Sequence, residues 1–234
     1  MAQPFQWQAN YRSQVWPDIS IDYKIDHVLI RSRAPLASCS SALWGGGLAH
    51  ARYFFNGFVS HSYQSDDPQG MIKAELARRG YPLGETVGLL TAAKLANASI
   101  HEEAGDQFRL VCCATAGTGN AARAGMARQT FPAYQFGTIN ILIMLDGRLS
   151  SSAIINGIMT ASEAKAAALQ DLQICDAEGR IATGTTSDAI VLAASQQGKA
   201  EHEHQFAGTA TTVGNAIGRL VYQSVYEAVA TQGR

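Results

Sequence analysis

Residues 137–146 read GTINILIMLD, and between Ile139 and Leu145 only Asn140 interrupts the apolar run. This is the clearest strand of the chain. FRLVCCAT, residues 108–115, reads as a second buried strand, with Cys112 and Cys113 as its small interior residues. ATGTTSDAIVLAAS, residues 182–195, turns at Gly184 and feeds a third through Ile190, Val191 and Leu192. Toward the N-terminus, IDYKIDHVLIRS (21–32) alternates apolar and polar residues as a half-buried strand does. Gly45, Gly46 and Gly47 then separate two segments rich in apolar and aromatic residues, among them Tyr53, Phe54 and Phe55, read as core.

Helical patterns lie between these strands. PQGMIKAELARRG (68–80) begins on a Pro and stops at Gly80, and a second helix is expected from Gly84 to Ala98. TASEAKAAALQDLQ (160–173) opens with the spacing of a capping box, Thr160 to Glu163, which places a helix over about 161–173. Val213, Ile217, Leu220, Val221 and Val225 fall on one face of a long closing helix. Helices and strands mix without regular alternation. The expected class is therefore α+β, one or more mixed sheets packed with helices, in a single domain over 1–234 with 1–20 as an N-terminal extension.

Composition excludes several functions. With 18 Lys+Arg against 19 Asp+Glu the net charge is -1, so no basic field exists to hold nucleic acid or an anionic membrane. No apolar run is long enough to span a bilayer and residues 1–16 lack the pattern of a secretion signal, so a cytoplasmic location is expected. Charged residues make up 16% of the chain, a low share that points to a subunit interface and hence to a homo-oligomer. Cys39, Cys112, Cys113 and Cys175 show no zinc spacing and read as free thiols. His202 and His204 in the polar run 196–205 would share a side only if that run were a strand; an exposed loop is the simpler reading, and no metal site is expected. His50 and His61 are read as packed or surface residues.

Chemistry is expected where apolar runs meet polar turns: WGGG (44–47), TAGTGNA (115–121), GTIN (137–140) and ATGTTSD (182–188). Gly admits a ligand close to the backbone, adjacent N–H groups hold an oxyanion, and Thr and Asn add neutral donors and acceptors. Asp188 is a candidate general base or an orienter of Thr185, and Asn120 and Asn140 are candidate oxyanion or amide-recognition groups. Glu163 either completes its capping box or serves the chemistry. Lys165 either lies on a solvated helix face or, turned inward, demands a carboxylate such as Asp188. No GxSxG elbow supports a serine triad, and no GxGxxG or Walker sequence supports a nucleotide loop.

The order and spelling of these segments resemble the adenosylcobinamide amidohydrolase family: GGG followed by Asn56, VGLLTAA (87–93), TAGTGNA, GTINI, TASEAKAAAL and ATGTTSDAI. The resemblance spans roughly 36–222. It implies hydrolysis of the amide between the corrin ring and the aminopropanol arm, with adenosylcobyric acid as product, in corrinoid salvage. It implies a corrinoid as substrate, with no cofactor required. On the matching motifs, Asp188, Thr185, Asn120, Asn140, Glu163 and Lys165 are the catalytic candidates. Gly45, Gly46, Gly47, Asn56, Thr115, Gly117, Thr138, Thr183 and Gly184 are the substrate-binding ones. Two other readings stand beside it: a corrinoid carrier without turnover, and an amidase using Cys39 or Cys113 as nucleophile.

Overall fold

The structure, a computed structural model, describes residues 2–60, 66–127 and 137–232. Its strands are β1 Asn10–Arg12, β2 Ile19–Lys24, β3 His27–Ser40, β4 Gly47–Phe58, β5 Thr86–Thr91, β6 Ser99–Gly105, β7 Phe108–Ala116, β8 Ala121–Ala122, β9 Ile139–Asp146, β10 Gly184–Thr185 and β11 Ala189–Ala194. The helices are α1 Pro68–Arg78, α2 Ser151–Asp171 and α3 Thr212–Ala230. Nine strands form one mixed sheet; β8 and β10 form a separate antiparallel ribbon.

β9 runs between β7, antiparallel, and β11, parallel. Its alternation sends Ile139, Ile141, Ile143 and Leu145 against α2 and α3, and Leu142 and Met144 to the opposite face. On that opposite face they meet Val28, Ile30, Phe54, Val87 and Leu89 of β3, β4 and β5. The sheet therefore curls back over itself. A register shift in β3 between Arg31 and Leu36 marks the bend: residues before it pair with β2 and residues after it with β11. α1 covers the far side, where Ile72 and Leu76 bury completely against Leu29 and Phe55. Each such side chain contributes about 2 kcal/mol of burial. The result is four layers, α2 and α3, two sheet layers, then α1, an α+β arrangement as expected.

Three local expectations are corrected. The segment 84–98 is not a helix: a 3-10 turn at Leu83–Glu85 leads into β5, and another covers Leu95–Asn97. Pairing of Thr86–Thr91 with Tyr53–Phe58 overrides the helical spacing of Val87, Leu90 and Leu95. The run 21–32 is a hairpin of β2 and β3 rather than one strand, with Lys24 opposite His27 across the turn. The capping box at Thr160 is absent, because α2 starts nine residues earlier. Ser150 is its cap and accepts from the Ala153 N–H at 3.1 Å; Thr160 lies inside the helix and donates to the Ala207 carbonyl.

Other features match the reading. Gly80 ends α1 with φ +74°, and α3 presents Val213, Ile217, Leu220, Val221 and Val225 to the core. Cys112 and Cys113 are buried in β7, and Phe54 and Phe55 lie in the core. Residues 196–205 are irregular apart from a short turn at Ala200–His202. Phe5 and Trp16, from the N-terminal stretch, enter the interior. His61 lies outside the described residues. No helix among the described residues is long and apolar enough to cross a membrane.

α1 is tied to the β2–β3 turn by a polar knot around His27, which is buried. Its Nδ1 lies 2.8 Å from Asp26 Oδ1, and its Nε2 lies 2.9 Å from the Tyr81 hydroxyl. Arg79 binds Asp26 and Glu75. Burial pushes the His27 pKa below its ordinary 6.5, whereas the Arg79 hydrogen bond holds Asp26 near 2. Below pH 6.5 the unfolded chain takes up a proton at this His that the folded chain refuses, so His27 costs stability as pH falls from 7 toward 5. Asp26 keeps its contribution across that window. The urea midpoint of the native protein should therefore drop between pH 7 and 5, with a shallower drop in His27→Gln; parallel profiles would reject the assignment.

Candidate active site

The chemistry-bearing turns meet at the end of the sheet where β5 and β7 finish and β9 and β11 begin. Asp188, directly before β11, is the hub. Its Oδ2 receives Lys165 Nζ at 2.5 Å and the Thr185 N–H at 3.0 Å; its Oδ1 receives the Ile139 N–H at 3.1 Å and the Thr185 hydroxyl. Lys165 comes from the inward flank of α2, and its side chain is 9% exposed against 11% for Asp188. A charged pair this deep is costly to desolvate, and fixed N–H donors on the carboxylate offset part of that cost. Gly184 leaves room for the pair. A Cβ built there would overlap Asp188 Oδ2 and lie 2.6 Å from Lys165 Nζ. Gly184→Ala should therefore abolish most turnover while the fold survives, checked by steady-state rates beside circular dichroism; native turnover would show that the pair is not required.

Three of the four expected turns are joined by hydrogen bonds. Asn120 donates to Thr186 Oγ1 at 2.7 Å, Ser187 Oγ donates to the Gly137 carbonyl at 2.9 Å, and Thr138 Oγ1 donates to the Ser187 carbonyl at 2.7 Å. Gly117 N–H donates to the Thr138 carbonyl, and Thr183 accepts from the Ala124 N–H across the β8–β10 ribbon. Thr186 and Ser187 were not singled out from the sequence; their place inside TTSD was the signal. Asn120 Oδ1 is buried and has no partner among the described residues. It packs on the Cα of Gly137, where a Cβ would overlap it.

Asn140 and Asn56 occupy a different position from the one expected. Both are about 1% exposed and point into the space between the two sheet layers, as does Thr115. Asn140 Nδ2 donates to Asn56 Oδ1 at 2.8 Å and to the Leu90 carbonyl at 2.9 Å; Asn56 Nδ2 donates to Thr115 Oγ1 at 2.8 Å. Both amide hydrogens of Asn140 are thus committed to the protein. This chain clamps β4 and β5 to β7 and β9 directly beneath Thr138.

The WGGG loop joins the site through its neighbours. Ser41 exchanges hydrogen bonds with Ile190, two residues beyond Asp188, and Trp44 pairs with Gly88 on the edge of β5. A Cβ on Gly45 would press on the Thr86 carbonyl at 2.6 Å and one on Gly46 would overlap the Ala42 carbonyl, whereas Gly47, at φ +79°, faces open space. The first two glycines serve the approach of the chain to itself, and the third borders a depression of about 450 Å³ that runs to Gln69. Glu163 is exposed on α2. Cys113 is buried, and burial pushes its thiol far above the ordinary range; Cys112 is pushed up to about 12. Cys39 is half-buried in β3. Among the described residues no group of three or more His, Cys, Asp or Glu is arranged to hold a metal.

A buried carboxylate–ammonium pair that accepts a hydroxyl, at the meeting of Gly-, Thr- and Asn-rich turns, is an arrangement suited to acyl transfer. Residues 15–234 match the model of the family described as adenosylcobinamide amidohydrolase, and the chain belongs to that family. The adenosylcobinamide amidohydrolase of Methanosarcina mazei is 29% identical over 194 residues, 80% of this chain and 88% of the relative. That of Halobacterium salinarum is 30% identical over 206 residues, 82% and 80% of the two chains. Among solved structures, a Burkholderia sp. beta-aminopeptidase is similar at a TM-score of 0.44 and 12% identity, over 96% of this chain and 82% of that one.

Proposed function

We propose that the protein cleaves adenosylcobinamide at the linear amide joining the corrin ring to the aminopropanol arm. The products are adenosylcobyric acid and free aminopropanol, so that scavenged corrinoid re-enters synthesis. The observation that carries the mechanism is the Thr185 hydroxyl donating to Asp188 while Lys165 holds that carboxylate. In this reading Thr185 Oγ1 attacks the amide carbon and its proton passes to Asp188. The C–N bond then breaks and the amine leaves with the proton from Asp188. Water, deprotonated by the same carboxylate, cleaves the Thr185 ester and returns a proton to Oγ1. Lys165 donates to Asp188 and fixes it. Asn120, buried with its Nδ2 on Thr186, braces the neighbouring turn; Gly47, Gly117 and Thr183 border the substrate, Gly184 leaves room for the Lys165–Asp188 pair, and Asn140, Asn56 and Thr115 hold the floor. A corrinoid edged with neutral amides suits such Asn, Thr and backbone groups better than a charged cleft would.

Each role is filled by the chain's own groups, so the reading calls for no cofactor. Incubation of purified protein with adenosylcobinamide, with and without chelator, should release aminopropanol and adenosylcobyric acid by mass at equal rates. Corrinoid bound but intact would instead identify a carrier.

A further inference from the structure

A second cavity, of about 430 Å³, opens on the α1 side of the sheet at the end of β4 and β5. Its floor is apolar: Phe55, Phe58, Met71 and Leu90 line it, and Phe58 is 43% exposed. Its rim carries Asp26 and Arg79. Arg79 is spent on Asp26 and Glu75, and Arg78 on Glu75, so neither guanidinium is uncommitted. The Asp26 carboxylate accepts from His27 and twice from Arg79, leaving about one of its four lone-pair positions open, on a side chain 53% exposed. The cavity thus offers an aromatic and thioether floor for a flat ring and a carboxylate for a hydroxyl donor, and both arginines among its described lining residues are paired with carboxylates. Leu90 belongs to both places: its side chain lines this cavity and its carbonyl accepts from Asn140 beneath the candidate active site.

We infer that this cavity is a nucleoside subsite, which takes the adenosyl group of the substrate with the base against Phe58 and Met71 and a ribose hydroxyl on Asp26. The inference rests on the proposed reaction for the identity of the nucleoside, while its chemistry stands on the cavity. Base stacking on an aromatic ring and carboxylate acceptance of a ribose hydroxyl are both established modes of recognition. A nucleotide is disfavoured because the arginines at the rim are already paired with Asp26 and Glu75.

The test is saturation-transfer NMR and equilibrium dialysis of the full chain with millimolar adenosine. Ala74 is exposed on α1 and lines the cavity, so Ala74→Trp fills it from outside without disturbing the core. Adenosine should bind the native chain, bind Phe58→Ala about tenfold more weakly, and be lost from Ala74→Trp. That variant should also raise KM for adenosylcobinamide while kcat holds. Absence of adenosine binding, or native binding by Ala74→Trp, would overturn the subsite. Tighter binding of adenosine monophosphate than of adenosine would overturn the nucleoside assignment. A chain that binds adenosine with this variant pattern yet leaves adenosylcobinamide uncut would keep the subsite and reject the hydrolysis.

Discussion

Asp188→Asn is expected to lower kcat on the order of 10³-fold with little change in KM. The substitution keeps the size of the side chain, but an amide cannot take the proton of Thr185 or return it to a leaving amine, and general acid–base groups contribute on the order of 10²–10⁴-fold. Corrinoid affinity should be retained because Asp188 lies below Thr185, with its four polar contacts all made to the protein. Initial rates of aminopropanol release, beside a spectrophotometric titration of corrinoid binding, measure the two quantities separately. A variant turning over at the native rate removes Asp188 from the chemistry; equal losses in rate and affinity would make it a substrate contact.

Lys165→Ala has the largest expected effect on stability, a loss of about 3 kcal/mol. Removing the ammonium leaves the Asp188 carboxylate in place with its side chain 11% exposed and no countercharge. Breaking one side of a buried pair costs roughly 3–5 kcal/mol, and the remaining N–H donors to Asp188 put this case at the lower end. The double variant Lys165→Met/Asp188→Asn, which buries no net charge but keeps an acceptor for only one of the two backbone N–H donors, should regain part of the stability and none of the activity. Urea titrations of Lys165→Met, Asp188→Asn and the double variant close the cycle. A double variant no more stable than Lys165→Met would show that the orphaned Asp188 charge does not set the loss.

The sequence was most readable where one segment carries its own instructions. GTINILIMLD and AIVLAA have too few polar residues to be anything but interior strands, and Gly80 stops a helix by its backbone alone. Lys165 was legible only as an alternative: the sequence left a solvated helix face open beside an inward lysine that needs a carboxylate, and the structure pairs it with Asp188. The failures concern information held elsewhere in the chain. TVGLLT becomes a strand because Tyr53–Phe58 lies beside it, and Ser150 rather than Thr160 begins α2 because the chain enters the helix there. Asn56 and Asn140, 84 positions apart, read singly as substrate groups; only the curl of the sheet brings their amides together and consumes them. The His27 knot and the cavity beside it have no local signature, since their members come from a hairpin turn, a strand end and a helix end.

The position of β11 has a consequence for how the protein is made. This strand comes late in the chain yet sits centrally, with β9 on one side and the second half of β3 on the other. Until residue 194 has left the ribosome, β3 and β9 each keep a long edge without its partner, and Asp188 has no strand to seat it. Pairing residues 37–40 with 191–194 closes a loop of about 150 residues, a separation that slows folding and prolongs exposure of those edges. The native sheet therefore closes only once β11 is available. Nascent chains truncated anywhere before β11 should accumulate as aggregates, and growth at lower temperature, which lengthens their lifetime before collision, should recover soluble protein only for chains that include it.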